Sequence, residues 1–322
     1  MPVQSSPQKF MNRVADKEGR TLVDRFDAGR FVITAEVVPP VSCDPADLLK
    51  RALPLKKLAD AVNVTDNTNA RAHLGSLAAA AILIENGFEP ILQITCRDRN
   101  RIALQSDLLG AAALGLRNLL LLRGDHPSAG DQPDAKAVFD LDSAALIETA
   151  RRLRDRGELP SGRKISGKPS FVLGAADTPI DPPAGWSPHA LLRKIAAGAQ
   201  FAQTQFCMDA RIMRRYVRCL ADSGVPATFH LLIGVAPLRS AGSARWMRHN
   251  LPGTIIPDAM IERIERAADP KAEGKRMCVE YLEEIADIPG VAGAHLMAPG
   301  NEAALPEVIA QAERIARRRV PA

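Results

Sequence analysis

Short apolar runs recur along the chain, each stopping at a cluster of polar residues and each followed by a longer stretch of helical character. The sharpest case lies at residues 118 to 127, where Leu119 to Leu122 end abruptly at Arg123-Gly124-Asp125. An unbroken apolar run closed by a turn is the pattern of a strand covered on both faces. "RFVITAEVVPP", "ADAVNVTDNTNAR" and "EPILQITCRDRNR" precede it as three further strands. "PSFVLGAAD", "QFAQTQF", "ATFHLLIGV" and "GVAGAHLMAPG" follow it as four more. Helices are predicted between them, at about 45 to 59, 74 to 87, 101 to 115, 141 to 157, 189 to 199 and 209 to 224. A long helical stretch from 257 to 287 with a break at Pro270 and a last helix at 304 to 318 complete the pattern. Gly87 and Gly115 punctuate helix ends, and "TPIDPPAGWSP" reads as a long loop after the fifth strand.

Strand, polar turn and helix in repeated order predict a parallel sheet. Eight units without a strong linker favour a single (β/α)8 TIM barrel over residues 30–322, preceded by an N-terminal helical arm over 1–29. A doubly wound open sheet is the competing architecture. The chain contains neither a Gly-x-Gly-x-x-Gly fingerprint nor a Gly-Lys-Ser/Thr phosphate loop, which counts against a nucleotide-binding open sheet. No Gly-x-Ser-x-Gly elbow is present, so a serine hydrolase has no visible nucleophile.

Composition narrows the class of ligand. Of 322 residues, 46% are hydrophobic, enough for a large core, and 42 Lys and Arg against 37 Asp and Glu leave a net charge of +5. That excess suits an anionic small molecule, while aromatics at 4% and the lack of basic stretches interleaved with them argue against nucleic acid. Cys43, Cys96, Cys207, Cys219 and Cys278 form no Cys-x-x-Cys pair, and the six histidines lack ligand spacing, so reduced thiols and no metal are expected. No apolar run is long enough to span a bilayer and the N-terminus does not resemble a signal peptide, which makes a cytoplasmic enzyme the expectation.

In a barrel, the carboxyl ends of the strands share one mouth. This would gather Glu36, Thr65, Gln93 or Thr95, Asp125, Asp177 and Gln205. Glu36 sits on an otherwise apolar strand before Pro39-Pro40, where burial would raise its pKa and keep a proton for general acid work; a salt-bridged strand-end Glu is the other reading. Asp125 is a rim carboxylate or a turn residue paired with its own Arg123. Gln205 offers a donor and an acceptor to an amide-bearing heterocycle, or bonds neighbouring backbone.

"TAEVVPP", "VNVTDN", "ITCRDRNR", "LLRGD", "RKIAAGAQFAQTQF" and "GAHLMAP", in this order, resemble the methylenetetrahydrofolate reductase family across residues 30 to 316. The resemblance implies an eight-stranded barrel carrying FAD that interconverts 5,10-methylenetetrahydrofolate and 5-methyltetrahydrofolate in one-carbon metabolism and methionine biosynthesis, with NADH or NADPH as the donor. It implies Glu36 as the acid, Asp125 near both flavin and pterin, and Gln205 against the pterin. It places Thr65, Gln93, Arg123, Gly124, Ala175, Asp177, Asp181 and Lys194 around the cofactor. Homo-oligomerisation is a further family expectation. The chain departs from the family pattern at Gln93, which replaces a common His, and at "DTPIDPP", where Asp177 and Asp181 stand in place of a Tyr and a His. Ala241 takes the place of an aromatic that covers the substrate, a role that could pass to Trp246. Two other activities stay open: oxidation of methyltetrahydrofolate in a demethylation pathway, and folate binding without redox chemistry or with a partner subunit supplying electrons.

Overall fold

The computed structural model describes residues 21–316. Eight parallel strands pair in sequence order: β1 (Val32–Val37), β2 (Ala61–Val64), β3 (Pro90–Thr95), β4 (Asn118–Leu122), β5 (Val172–Asp177), β6 (Phe201–Phe206), β7 (His230–Val235) and β8 (Val291–Leu296). β8 returns to β1, with Thr34 opposite His295, so the cylinder closes and the open-sheet alternative is excluded. The apolar runs of the sequence became strands because each is covered twice, by the barrel interior and by the helices outside.

The helices start where short polar side chains can take up free backbone N–H groups. Asp44, Asn100, Asp142, Asp209 and Asp269 each accept such a bond at the head of the helix that follows. The helix expected over 45 to 59 is shorter. It runs Pro45–Ala52 and tightens into a 3-10 turn at Leu53–Leu55, because Pro54 has no N–H to extend the ladder. The stretch from 257 to 287 divides into Asp258–Glu265 and Pro270–Ala286, with Pro270 as the first residue of the second helix. The last helix divides as well, into Leu305–Gln311 and Glu313–Ala316, and residues 317 and 318 lie outside the described chain. Residues 236 to 254, which read in sequence as an excursion with a short helix around Trp246, hold the helix Ala241–Asn250 after β7.

Of the N-terminal arm, residues 1–20 lie outside the described chain. From Thr21 onward the backbone enters a helix, Leu22–Asp27, closed by a reciprocal Thr21–Asp24 cap. Leu22 and Phe26 of this helix cluster with one residue from each strand: Val32, Ala61, Ile91, Leu120, Val172, Phe201, Leu232 and Ala292. These side chains fill the amino-terminal end of the cylinder, and the helix stoppers it. Phe201 is the largest of the strand residues, and its ring occupies space that Gly174 leaves free: a Cβ at 174 would lie 2.2 Å from the ring.

Two residues up β1, β2, β3 and β6, and three up β8, the interior turns polar. Asn63 and Gln203 exchange amide hydrogen bonds, Asn63 Nδ2 donating to Gln203 Oε1 at 2.5 Å and Gln203 Nε2 to Asn63 Oδ1 at 2.9 Å. Gln203 Nε2 also donates to Thr34 Oγ1 at 3.1 Å, and Thr34 Oγ1 lies 3.0 Å from His295 Nδ1. All four side chains are buried. Burial drives the His295 pKa down to about 3, so the ring is neutral here.

The barrel floor yields a stability prediction. Gly174→Ala pushes a methyl group into the Phe201 ring and is expected to cost about 1–3 kcal/mol, as overpacking of a dense core does. Combining it with Phe201→Leu should recover part of that loss, read as denaturation midpoints in urea; strictly additive losses would show that the two residues do not compete for the same space.

Candidate active site

Strand alternation explains how the mouth is furnished. Inward positions fall two residues apart, so a strand with an apolar residue at the floor presents its next inward side chains at mid-height and at the rim. These pairs are Thr34 and Glu36 on β1, Asn63 and Thr65 on and after β2, Gln93 and Thr95 on β3, and Gln203 and Gln205 on β6. The lower members are buried polar residues, and the upper ones ring the carboxyl-terminal opening.

Glu36, opposite Asn63 in the β1–β2 register, is half-buried, and its carboxyl group has no hydrogen-bond partner among the described residues. Loss of hydration raises its pKa from 4.5 to about 7, and the nearby charge of Glu302 adds to the rise. Glu302 opens the 3-10 turn Glu302–Ala304 after β8 and is anchored through Oε1, which accepts from Gly300 N at 3.0 Å. Among the described residues no ion pair holds Glu36, and the salt-bridged reading finds no partner there.

On the β2–β4 side, Thr65 is buried with its Oγ1 unpartnered, and Thr68 Oγ1 in the following turn is likewise buried without a partner. Asp66 ties the neighbouring strand ends together: its Oδ2 accepts from Thr95 N at 2.8 Å and Thr95 Oγ1 at 2.9 Å, and it pairs with Arg99. Arg99 reaches on to Asp107 at 2.8 Å in the helix Arg101–Ala113. Arg97, also buried, is held by Asp98 at 2.7 Å and donates to Asn67 O at 3.2 Å. Gln93 is buried on the inner wall between these groups. In the turn after β4, Gly124 has φ +84°, and a Cβ there would lie 3.0 Å from Thr95 and 3.2 Å from Arg97. The backbone thus lies flush against the β3 end, which requires glycine. Arg123 turns away and sets its guanidinium 4.3 Å from the centre of the Phe139 ring, so Asp125 is not paired with it and stands exposed at the rim.

On the β5–β6 side, Asp177 ends β5 and accepts a 2.5 Å hydrogen bond from Tyr216 Oη. Burial raises its pKa, opposed by Tyr216 and by the positive charge of Lys194. Lys194 donates to Ala176 O at 2.6 Å, and burial lowers its pKa. Gln205 spans the β6 end: Nε2 donates to Pro252 O at 3.3 Å, and Oε1 accepts from Phe206 N at 3.0 Å. The returning loop passes close, and a Cβ at Gly253 would lie 2.3 Å from Thr178 and 3.8 Å from Gln205.

The fold therefore brings Glu36, Thr65, Gln93, Gly124, Asp125 and Gln205 to one mouth of the barrel. Asp177 ends its strand at the same level but lies on the outward face of β5, against Tyr216 and Lys194 of the surrounding helices, and so does not join the group expected inside the mouth. Two further expectations need correction. Ala175 is fully buried in the hydrophobic layer between strands and helices, so its side chain faces away from the mouth, as the alternation of β5 requires. Asp181 is engaged outside, in a two-pronged ion pair with Arg215 at 2.7 and 2.8 Å on the helix Ala210–Asp222. Trp246 is exposed on its helix and Ala241 is buried.

Tyr216, Glu302 and the Asp66–Arg97–Arg99 cluster escape sequence reasoning, since each acts through a partner far along the chain. The mid-height polar layer had a visible signal in the two-residue spacing of polar residues within apolar strands. Among the described residues no group of His, Cys, Asp and Glu could hold a metal ion, and no helix is long and apolar enough to cross a membrane.

Comparisons with known proteins agree with this architecture. The chain is 27% identical over 243 residues to a probable methylenetetrahydrofolate reductase (NADPH) of Caenorhabditis elegans, covering 73% of this chain and 34% of that protein. It is 24% identical to methylenetetrahydrofolate reductase 2 of Schizosaccharomyces pombe, covering 60% of this chain and 30% of the relative. With 5,10-methylenetetrahydrofolate reductase of Pectobacterium carotovorum it shares 28% identity, covering 60% of each. The chain thus spans about a third of its two eukaryotic relatives. Among solved structures, EDTA monooxygenase from Chelativorans sp. BNC1 superposes with a TM-score of 0.55 at 12% identity, covering 91% of this chain and 95% of that one, a likeness of fold alone. The profile of one family, methylenetetrahydrofolate reductase, matches residues 21–313, and the chain belongs to that family.

Proposed function

We propose that the chain is a flavin-dependent oxidoreductase that interconverts 5,10-methylenetetrahydrofolate and 5-methyltetrahydrofolate. The observation that carries this reading is Glu36: an inward carboxyl group at the barrel mouth, free of any hydrogen bond among the described residues, with a pKa raised to about 7. Such a group is half protonated near neutrality and can both give and take a proton. Opening the five-membered ring of the folate needs a proton on the departing nitrogen and leaves an iminium cation on the other. Glu36 supplies the proton, and the exposed carboxylate of Asp125 supplies negative charge across the mouth.

The opposite wall fits a flat cofactor with polar edges. Thr65 has a buried hydroxyl in need of a partner, and Gly124 keeps the turn after β4 clear of side chain. Thr65, Gly124, Arg123 and Lys194 would hold the flavin, FAD by family likeness, which when bound supplies the hydride, with NADH or NADPH as its source. Gln205 would meet the pterin amide by exchanging its weak bond to Pro252 O for bonds to the heterocycle. The buried Asn63–Gln203–Thr34–His295 layer closes the floor beneath and keeps water from entering from below.

Replacing the acid should separate chemistry from folding. Glu36→Gln is expected to lower kcat by at least about 10²-fold while the far-ultraviolet spectrum is unchanged; wild-type turnover would end the assignment. In the wild type, turnover that depends on protonated Glu36 falls as pH rises through about 7. Glu302→Gln removes a like charge and should move that fall to lower pH, measured as the kcat/KM profile. Stability follows the same carboxyl. Because its folded pKa lies above the ordinary value of 4.5, its favourable contribution is complete below 4.5 and lost as pH rises through about 7. Glu36→Gln should therefore be more stable than wild type above pH 7, by up to about 3 kcal/mol, and equally stable at pH 4. A visible spectrum tests the redox reading: purified protein should be yellow and should bleach when methyltetrahydrofolate is added without oxygen. Protein that binds folate but stays colourless after addition of FAD would sink it.

A further inference from the structure

Arg123 and Asp125 carry opposite charges on either side of Gly124, and both are exposed. Such neighbours attract, yet the Arg123 guanidinium lies 4.3 Å from the centre of the Phe139 ring instead of on the carboxylate. An exposed ion pair and an exposed cation–π contact are of similar strength. The choice between them therefore falls to whichever partner is already in place.

Phe139 is in place before any ligand arrives. Its φ is +41°, a left-handed conformation that a bulky residue adopts only when its surroundings enforce it. Three consecutive residues supply that enforcement. Val138 N donates to Arg97 O at 2.9 Å and Phe139 N to Cys96 O at 3.1 Å, fastening the segment to the end of β3. Asp140 accepts from Arg101 N at 2.9 Å and from its guanidinium at 2.8 and 2.7 Å, at the head of the helix Arg101–Ala113. The ring itself rests against the core. Beyond Asp125 the chain leans the same way, with the His126 ring 6.3 Å from that of Phe139 at an interplanar angle of 26°. Arg123 and His126 thus gather on one ring, and the carboxylate between them is left out.

We propose that Phe139 is a positioning residue: its ring holds the Arg123 guanidinium off Asp125 and so leaves the Asp125 carboxylate free for the cation formed at the mouth. The use of that carboxylate rests on the function proposed above; the latch itself does not.

The test compares Phe139→Leu, which keeps an apolar side chain and removes the ring, with Phe139→Tyr, which keeps the ring. Crystal structures of the full-length, ligand-free variants read the latch directly. In Phe139→Leu an Arg123 nitrogen should come within about 4 Å of an Asp125 oxygen, and in Phe139→Tyr the guanidinium should stay over the ring. Turnover at saturating flavin reads its use. Phe139→Leu should lower kcat about tenfold while KM for the folate changes less than about twofold, because charge aimed at the cation acts in the transition state, and Phe139→Tyr should rescue kcat. In an Arg123→Gln background there is no guanidinium to release, so Phe139→Leu should cost nothing further; a ring that only supported the loop would cost the same in both backgrounds. Arg123 staying clear of Asp125 once the ring is gone would overturn the proposal, as would an unchanged kcat or equal losses in the two backgrounds. Wild-type protein that turns over no folate would instead remove the function proposed above, and the variant structures would still decide the latch.

Discussion

A polar side chain that points into a closed cylinder of strands has to find its hydrogen-bond partners inside that cylinder. Water does not reach mid-height, and a buried amide left unpaired costs about 1–3 kcal/mol. In this barrel the requirement is met by two amides facing each other across the interior. Asn63 and Gln203 satisfy one another, and Thr34 links the pair to His295. Contributions from β1, β2, β6 and β8 are needed together, so the layer forms only when the sheet has closed. Below it lies an apolar plug stoppered by Leu22 and Phe26; above it lie the groups available for chemistry.

That division also sets the electrostatics of the mouth. Glu36 stands on the same strand as Thr34, one inward position higher, where burial still removes water but no donor reaches the carboxyl group. Its affinity for a proton therefore rises. Across the mouth the charges are handled differently: Asp66, Asp98 and Asp107 are tied to Arg99 and Arg97, and this mesh locks the ends of β2 and β3 to the helix beyond. One carboxyl is left without a partner among the described residues while its neighbours are held in ion pairs, an arrangement suited to an acid acting beside fixed charge.

The loops above the rim are fastened by few but specific contacts. Gln205 holds the Pro252 carbonyl, and Gly253 passes so close to Thr178 that no side chain fits. Tyr216 reaches from a helix to steady Asp177, and Lys194 is turned onto the Ala176 carbonyl. These side chains come from segments between β5 and β8 that share only their position around the cylinder.

Much of the fold was legible in the residues themselves. Leu119–Leu122 read as a strand buried on both faces, Pro270 as a helix boundary and Gly87 and Gly115 as helix stops in the left-handed region follow from local sterics and periodicity. Repetition of strand and helix eight times favoured the barrel, and Glu36 was marked out by a charge on an apolar strand. Pairing was not legible. Whether Asp125 would join Arg123, whether Asp181 would face the mouth or Arg215, and on which side of β5 Ala175 would lie depend on the closure and register of the sheet. Periodicity is a property of neighbours in the chain, and so the sequence determined where strands and helices begin and which residues share a face. Ion pairing joins groups tens of residues apart, such as Asp181 with Arg215, and the buried polar layer and the proton affinity of Glu36 arise from groups more than a hundred residues apart, such as Asn63 with Gln203 and Glu36 with Glu302; only the closed barrel decided them.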